Sequence, residues 1–172
     1  MTEQATQETE VGAPPSRCWD VVVDFERYPE WASRIKQVTV EERDDDGRPV
    51  RVTYRAGAMG RSTQYTLRYD YSEGPRQLSW VLEKGDIMRT LDGAYVFEPA
   101  DGDRTHVTYH LEADLILPVP GFIKGRARSF ILHTALNELK KTSCVAGTKW
   151  RLKKLSHRSE RTEIRLLKSK KP

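Results

Sequence analysis

Gln64-Tyr65-Thr66-Leu67-Arg68-Tyr69-Asp70-Tyr71 alternates polar and bulky residues over eight positions. Successive side chains of a β-strand point to opposite faces, so Tyr65, Leu67, Tyr69 and Tyr71 share one face. Gln64, Thr66, Arg68 and Asp70 share the other. A strand with one wet face and one covered face belongs to an antiparallel sheet.

Outward from this stretch the same period recurs. Upstream lie Ile35–Arg43 and a strand carrying Val50, Val52 and Tyr54, separated by the turn Asp44-Asp45-Asp46-Gly47. Downstream, Leu78, Trp80 and Leu82 line one strand, and Leu91, Tyr95 and Phe97 another, with Gly93 between them. Val107, Tyr109, Leu111, Ala113 and Leu115 then alternate with His106, Thr108, His110, Glu112 and Asp114. Gly and Pro in Ser72–Pro75 and Asp101–Asp103 mark the intervening turns.

The ends read differently. Gln4–Val11 is a weak strand candidate, and Pro14-Pro15-Ser16 opens a helix carrying Cys18, Trp19, Val22 and Phe25. Tyr28–Ser33 is a second short helix. Pro118-Val-Pro-Gly121 ends the last strand, after which Ile123, Ala127, Ile131, Ala135 and Leu139 recur in steps of four, with Phe130 and Leu136 beside them. This longest helix runs to about Ala146, with Gly147 as its cap. The chain therefore reads as α+β. Six or seven antiparallel strands form a curved sheet around a long C-terminal helix, with two short helices after the first strand.

The 172 residues carry a net charge of +4, unevenly spread. From Lys149 onward ten Lys and Arg face two Glu, a net of +8; the preceding residues hold 19 basic and 23 acidic groups, a net of −4. The reading is one domain over residues 1–147 and a flexible basic extension over 148–172. A globally basic, DNA-binding domain does not fit a body of negative charge. No apolar run is long enough to cross a bilayer as a helix. The acidic N-terminus and the widely separated Cys18 and Cys144 suggest reduced thiols in a cytoplasmic protein.

Val11–Trp31, Leu91–Pro99 and Leu117–Ile123 resemble the START-related superfamily, in its polyketide cyclase/dehydrase and lipid-transport branch, which includes relatives of coenzyme-Q-binding proteins. The resemblance implies a helix-grip fold with an apolar cavity between sheet and helix, gated near Pro118–Gly121. It leaves function open, because one fold hosts carriers, cyclases and ribosome-associated proteins.

The tyrosines on the covered face narrow the choice. A buried hydroxyl needs a partner, and a cavity for a ligand with an apolar body and a few oxygens supplies one. The expected lining is Trp31, Tyr54, Tyr65, Leu67, Tyr69, Trp80, Tyr95, Tyr109, Leu111 and Ile131. The expected activity is carriage or sequestration of a lipid, isoprenoid quinone or polyketide. No catalytic residue, metal ligand or cofactor is assigned. A polyketide aromatase/cyclase or dehydratase is the alternative. Its cavity arginine would have to come from the Gln64–Tyr71 strand, where Arg68 is out of phase. A ribosome- or protein-binding module is the second alternative.

Other candidates are weaker. His106 and His110, four apart on a strand, stand roughly 13 Å apart, too far to share one metal ion. His133 reads as a helix-surface group. Asp44–Gly47 lacks the spacing of a calcium loop. The basic extension could contact an anionic membrane or RNA.

Overall fold

The computed structural model describes residues 3–58, 60–116 and 120–145. Seven strands follow the sequence's turn signals: β1 (Glu3–Val11), β2 (Ile35–Arg43), β3 (Pro49–Ala58), β4 (Arg61–Asp70), β5 (Gln77–Gly85), β6 (Met88–Ala100) and β7 (Arg104–Leu115). They form one antiparallel sheet in the order β1-β7-β6-β5-β4-β3-β2. Between β1 and β2 lie α1 (Pro15–Val23), a 3-10 turn (Phe25–Arg27) and the short α2 (Tyr28–Trp31). The long α3 (Gly121–Val145) closes the curved sheet in a helix-grip arrangement. The expected cap at Gly147, residues 118–119 of the Pro118–Gly121 hinge and the extension 148–172 lie outside the described residues.

Local chemistry explains the turns. The Asp44 carboxylate accepts from the backbone N–H of Asp46 (3.1 Å) and Arg48 (2.8 Å), and Gly47 takes the positive φ of 78° that closes the β2–β3 hairpin. Edge strands are blunted: β2 is bulged in three places, and β1 exposes Gln4, Thr6, Glu8 and Glu10.

The core lies between the sheet's inner face and the helices. Strand period two delivers Val52, Tyr54, Leu67, Tyr69, Leu78, Trp80, Phe97, Val107 and Leu111 to it, all buried. From the other side come Cys18, Val21 and Val22 of α1 and Leu132, Leu136 and Leu139 of α3. Thr105 ties the layers by donating from Oγ1 to the Ala13 carbonyl at 2.7 Å.

The helix is rotated from the expected stripe. It packs along β1, α1 and β7, at one side of the sheet. That position buries Leu132, Leu136, Leu139 and Ser143, whereas Ile131 is 37% and Phe130 51% exposed. Steps of four alone do not fix which side of a helix with apolar residues on several faces becomes the contact.

Trp80 depends on a missing side chain. It lies opposite Gly93 in the β5–β6 register. A Cβ there would come within 2.6 Å of the indole and 2.5 Å of the His110 carbonyl oxygen. Gly93→Ala should therefore destabilise the fold by about 1–3 kcal/mol, as overpacking does, measured by urea unfolding. A variant as stable as the parent would mean that Trp80 has another resting place.

Candidate functional site

The inner face of the sheet carries a continuous aromatic surface. Tyr54 of β3 stacks on Tyr65 of β4 with centroids 5.3 Å apart. Tyr69 contacts Trp80 of β5 at 6.1 Å, and Trp80 meets Tyr95 of β6 at 5.4 Å and Tyr109 of β7 at 5.7 Å. Tyr95 and Tyr109 stack at 4.5 Å. The short helical segment adds a second layer: Phe25 lies 4.4 Å from Tyr69, and Tyr28 lies 4.8 Å from Trp31 and 6.0 Å from Tyr54. Phe25 and Tyr28 were not among the expected lining residues. The three-residue spacing Phe25, Tyr28, Trp31 was the available signal, because it places all three rings on one side of a helical turn.

Four of the tyrosine hydroxyls hold hydrogen bonds within the protein. Tyr54 and Tyr69 share a hydrogen bond of 2.6 Å, Tyr28 donates to the Val22 carbonyl at 2.7 Å, and Tyr71 donates to the Pro49 carbonyl at 2.8 Å. Tyr65 is half-buried, and among the described residues its hydroxyl has no hydrogen-bond partner. Burial pushes the ionisation of all seven tyrosines above the ordinary phenol range, since a phenolate would lose its water.

Of the expected lining residues, Tyr54, Leu67, Tyr69, Trp80, Tyr95, Tyr109 and Leu111 are buried on the inner face, and Trp31 and Tyr65 are half-buried. Ile131 departs from the expectation: the rotation of α3 leaves it among the exposed apolar residues. Arg68 points outward, as its phase requires, and pairs with Glu42 at 3.3 Å and Glu83 at 3.5 Å. His106 meets Glu8 at 3.4 Å and His110 meets Thr6 at 2.9 Å on the wet face. His133, exposed, bonds Gln7 and Asn137. Among the described residues no three His, Cys, Asp or Glu converge as a metal site.

A cleft of about 790 Å³ opens at the β2–β3 turn and the ends of β3, β4 and β5. Its walls include Arg48, Arg68, Tyr69, Tyr71 and Trp80, and none of them comes from α3. Tyr69 and Trp80 border it together with Arg68, Asp70, Ser79 and Val81, which alternate with them toward the outer face. Its volume falls in the ordinary small-molecule range of about 300–1,000 Å³.

Comparison with known proteins follows the same architecture. The sequence model of the polyketide cyclase/dehydrase and lipid transport family matches residues 2–143. A START superfamily protein from Mycobacterium smegmatis is similar in structure, with 25% identity and a TM-score of 0.77 over 81% of this chain and 96% of that one. A protein from Thermus thermophilus is 20% identical, with a TM-score of 0.71 over 85% and 100% of the two chains. The Zhui aromatase/cyclase from Streptomyces sp. R1128 shares the fold at 16% identity and a TM-score of 0.66, over 86% and 99%. No curated protein matches the sequence.

The tyrosine environment fixes a pH dependence. Below about pH 10, the ordinary phenol value, folded and unfolded chains hold the same phenolic protons. Above it the unfolded chain releases them first, so the native state binds more protons and stability falls with rising pH. Absorbance titration near 295 nm should show few phenolates in the native protein at pH 11 and a cooperative jump when it unfolds. Titration of most tyrosines at ordinary values, with the fold intact, would contradict this burial.

Proposed function

The chain belongs to the polyketide cyclase/dehydrase and lipid transport family, and we propose that it carries or sequesters a hydrophobic small molecule against the aromatic inner face of the sheet. The observation that carries this reading is the unbroken run of Tyr and Trp rings across β3 to β7. Each of these rings presents an apolar body with a polar tip. A lipid, isoprenoid quinone or polyketide that buries about 200 Å² of apolar surface there gains about 5 kcal/mol before ordering costs. Residues 1–147 act as the binding domain. The basic extension, residues 148–172, makes an auxiliary electrostatic contact with an anionic membrane or RNA.

Binding suits these residues better than catalysis. Phenols held above their ordinary ionisation range are poor general bases near neutral pH. Arg68 of β4 is turned outward into ion pairs. No helix among the described residues is long and apolar enough to cross a membrane.

Native mass spectrometry of the purified full chain, mixed with an extract of small molecules, tests the reading. A bound mass that is released on denaturation, together with a saturable change in Trp fluorescence, is the expected result. A protein that stays empty against lipids, quinones and polyketides would remove the reading. Arg68→Ala separates carriage from cyclisation: stability and ligand affinity should stay within about 0.5 kcal/mol of the parent, as for a surface change. A hundredfold loss of a polyketide-cyclising activity in that variant would establish the enzyme instead.

A further inference from the structure

Cations without acidic partners gather at one end of the fold. The β3–β4 and β5–β6 turns, the start of β2, the end of β7 and the first turns of α3 lie there. These segments adjoin: the Gly57 amide donates to the Arg34 carbonyl at 2.8 Å, the Asp86 amide to the Gln64 carbonyl at 3.2 Å and the Ile116 amide to the Ile87 carbonyl at 3.0 Å. Arg34, Lys36, Arg61, Lys84, Arg89 and Arg126 are exposed, and none of them has an acidic partner among the described residues. The acids of this end are already engaged. Asp86 accepts from Thr63 and the Gln64 amide, Glu138 from the Ser33 amide, and Glu112 from Gln4. Glu83 pairs with Arg51 and Arg68, and Asp114 has an interaction of its own.

The opposite end, with the other three turns of the sheet, is organised differently. There Arg48, Arg76 and Arg104 pair with Asp44 (2.8 Å), Glu98 (3.6 Å) and Glu10 (3.0 Å). Charge is thus segregated along the strands of a body whose net charge before Lys149 is −4. Apolar exposure follows the cations: Ile116 at the end of β7 is 47% and Phe130 of α3 is 51% exposed. The Arg34 guanidinium lies 5.1 Å over the Phe130 ring and joins α3 to the start of β2. A lone exposed apolar residue is ordinary, but two set among uncompensated cations form a surface of mixed character.

We propose that this end of the fold docks on an anionic lipid bilayer, with Ile116 and Phe130 entering the headgroup layer and Arg34, Lys36, Arg61 and Arg89 lying over lipid phosphates. Cations attract anionic headgroups, and apolar side chains between them gain by leaving water. Ile116 offers no flat face for a base to stack on, and Phe130 already holds Arg34 over its ring, which favours lipid over RNA. Screening confines the attraction to about 8–10 Å at 0.1–0.15 M salt, so local charge decides rather than the negative sum of the body. The acid-rich opposite end is repelled, and that polarity orients the molecule. Residues 148–172 follow the far end of α3, where the Cys144 Sγ lies 3.4 Å from the place of a Cβ on Gly12, so this surface is separate from the basic extension. Docking needs no bound ligand and stands apart from carriage.

Co-sedimentation of the full chain with vesicles tests this, using phosphatidylcholine alone and phosphatidylcholine with one third phosphatidylserine. Binding is expected to the mixed vesicles only. Combining Arg34→Gln, Arg61→Gln and Arg89→Gln should weaken it at least tenfold with the circular dichroism spectrum unchanged. Combining Lys168→Gln, Lys170→Gln and Lys171→Gln removes as much charge from the extension and should weaken it less than threefold. The reverse order of the two losses, or equal losses, overturns the proposal, as does an absence of binding to mixed vesicles. Binding to single-stranded RNA that the first variant loses, with vesicles ignored, would assign the surface to nucleic acid instead. Phe130→Trp reports insertion: its added fluorescence should be quenched by vesicles of brominated phosphatidylcholine mixed with phosphatidylserine. Unquenched emission from bound protein overturns the placement of Phe130 in the headgroup layer.

Discussion

A phenol buried without a hydrogen bond loses its hydration with nothing in return, at a cost of about 1–3 kcal/mol. This chain places all seven of its tyrosines at or near the interior. The pairings between Tyr54 and Tyr69, Tyr28 and Val22, and Tyr71 and Pro49 are the response to that cost. They also fix ring orientation, because a ring whose tip is tethered can rotate little. The aromatic surface is therefore a preorganised wall, and preorganisation lowers what a ligand must spend on ordering.

Close backbone approach sets the second condition. Trp80 is the hub where the Tyr69 side of the cluster meets the Tyr95 and Tyr109 side. It holds that place over Gly93, where any side chain would displace it. Gly74 makes similar room for Trp19, which packs edge-on against Tyr71 and Phe97. On the outer face, by contrast, Arg51, Arg68, Glu42 and Glu83 form solvent-facing ion pairs. Pairs of this kind contribute little to stability but keep that face wet.

The two faces of α3 divide the labour. Leu132, Leu136 and Leu139 fasten the helix to β1, α1 and β7. The opposite connection, toward the loop before β2, uses the Glu138–Ser33 contact and Arg34 stacked on Phe130 at 5.1 Å. Apolar burial holds one side, and polar or cation–π contacts of smaller worth hold the other.

The strand faces were legible from the sequence because period two is a local property. Once Tyr65, Leu67 and Tyr69 share a face, the backbone geometry leaves Arg68 no choice but the other one. The hairpin at Asp44–Gly47 and the helical start at Pro15 were legible for the same reason, since each depends on a few neighbouring residues. The rotation of α3, the exposure of Ile131, the addition of Phe25 and Tyr28 to the ring cluster, and the cleft at the β2–β3 end were not. Each depends on where elements far apart in the chain come to rest, and a helix with apolar residues on more than one side offers several ways to pack. The sequence by itself determined the antiparallel sheet, its inward tyrosines and its closing helix, because backbone periodicity imposes them. Only the tertiary structure decided which tyrosine hydroxyls pair, because that depends on distances between strands that the chain order does not contain.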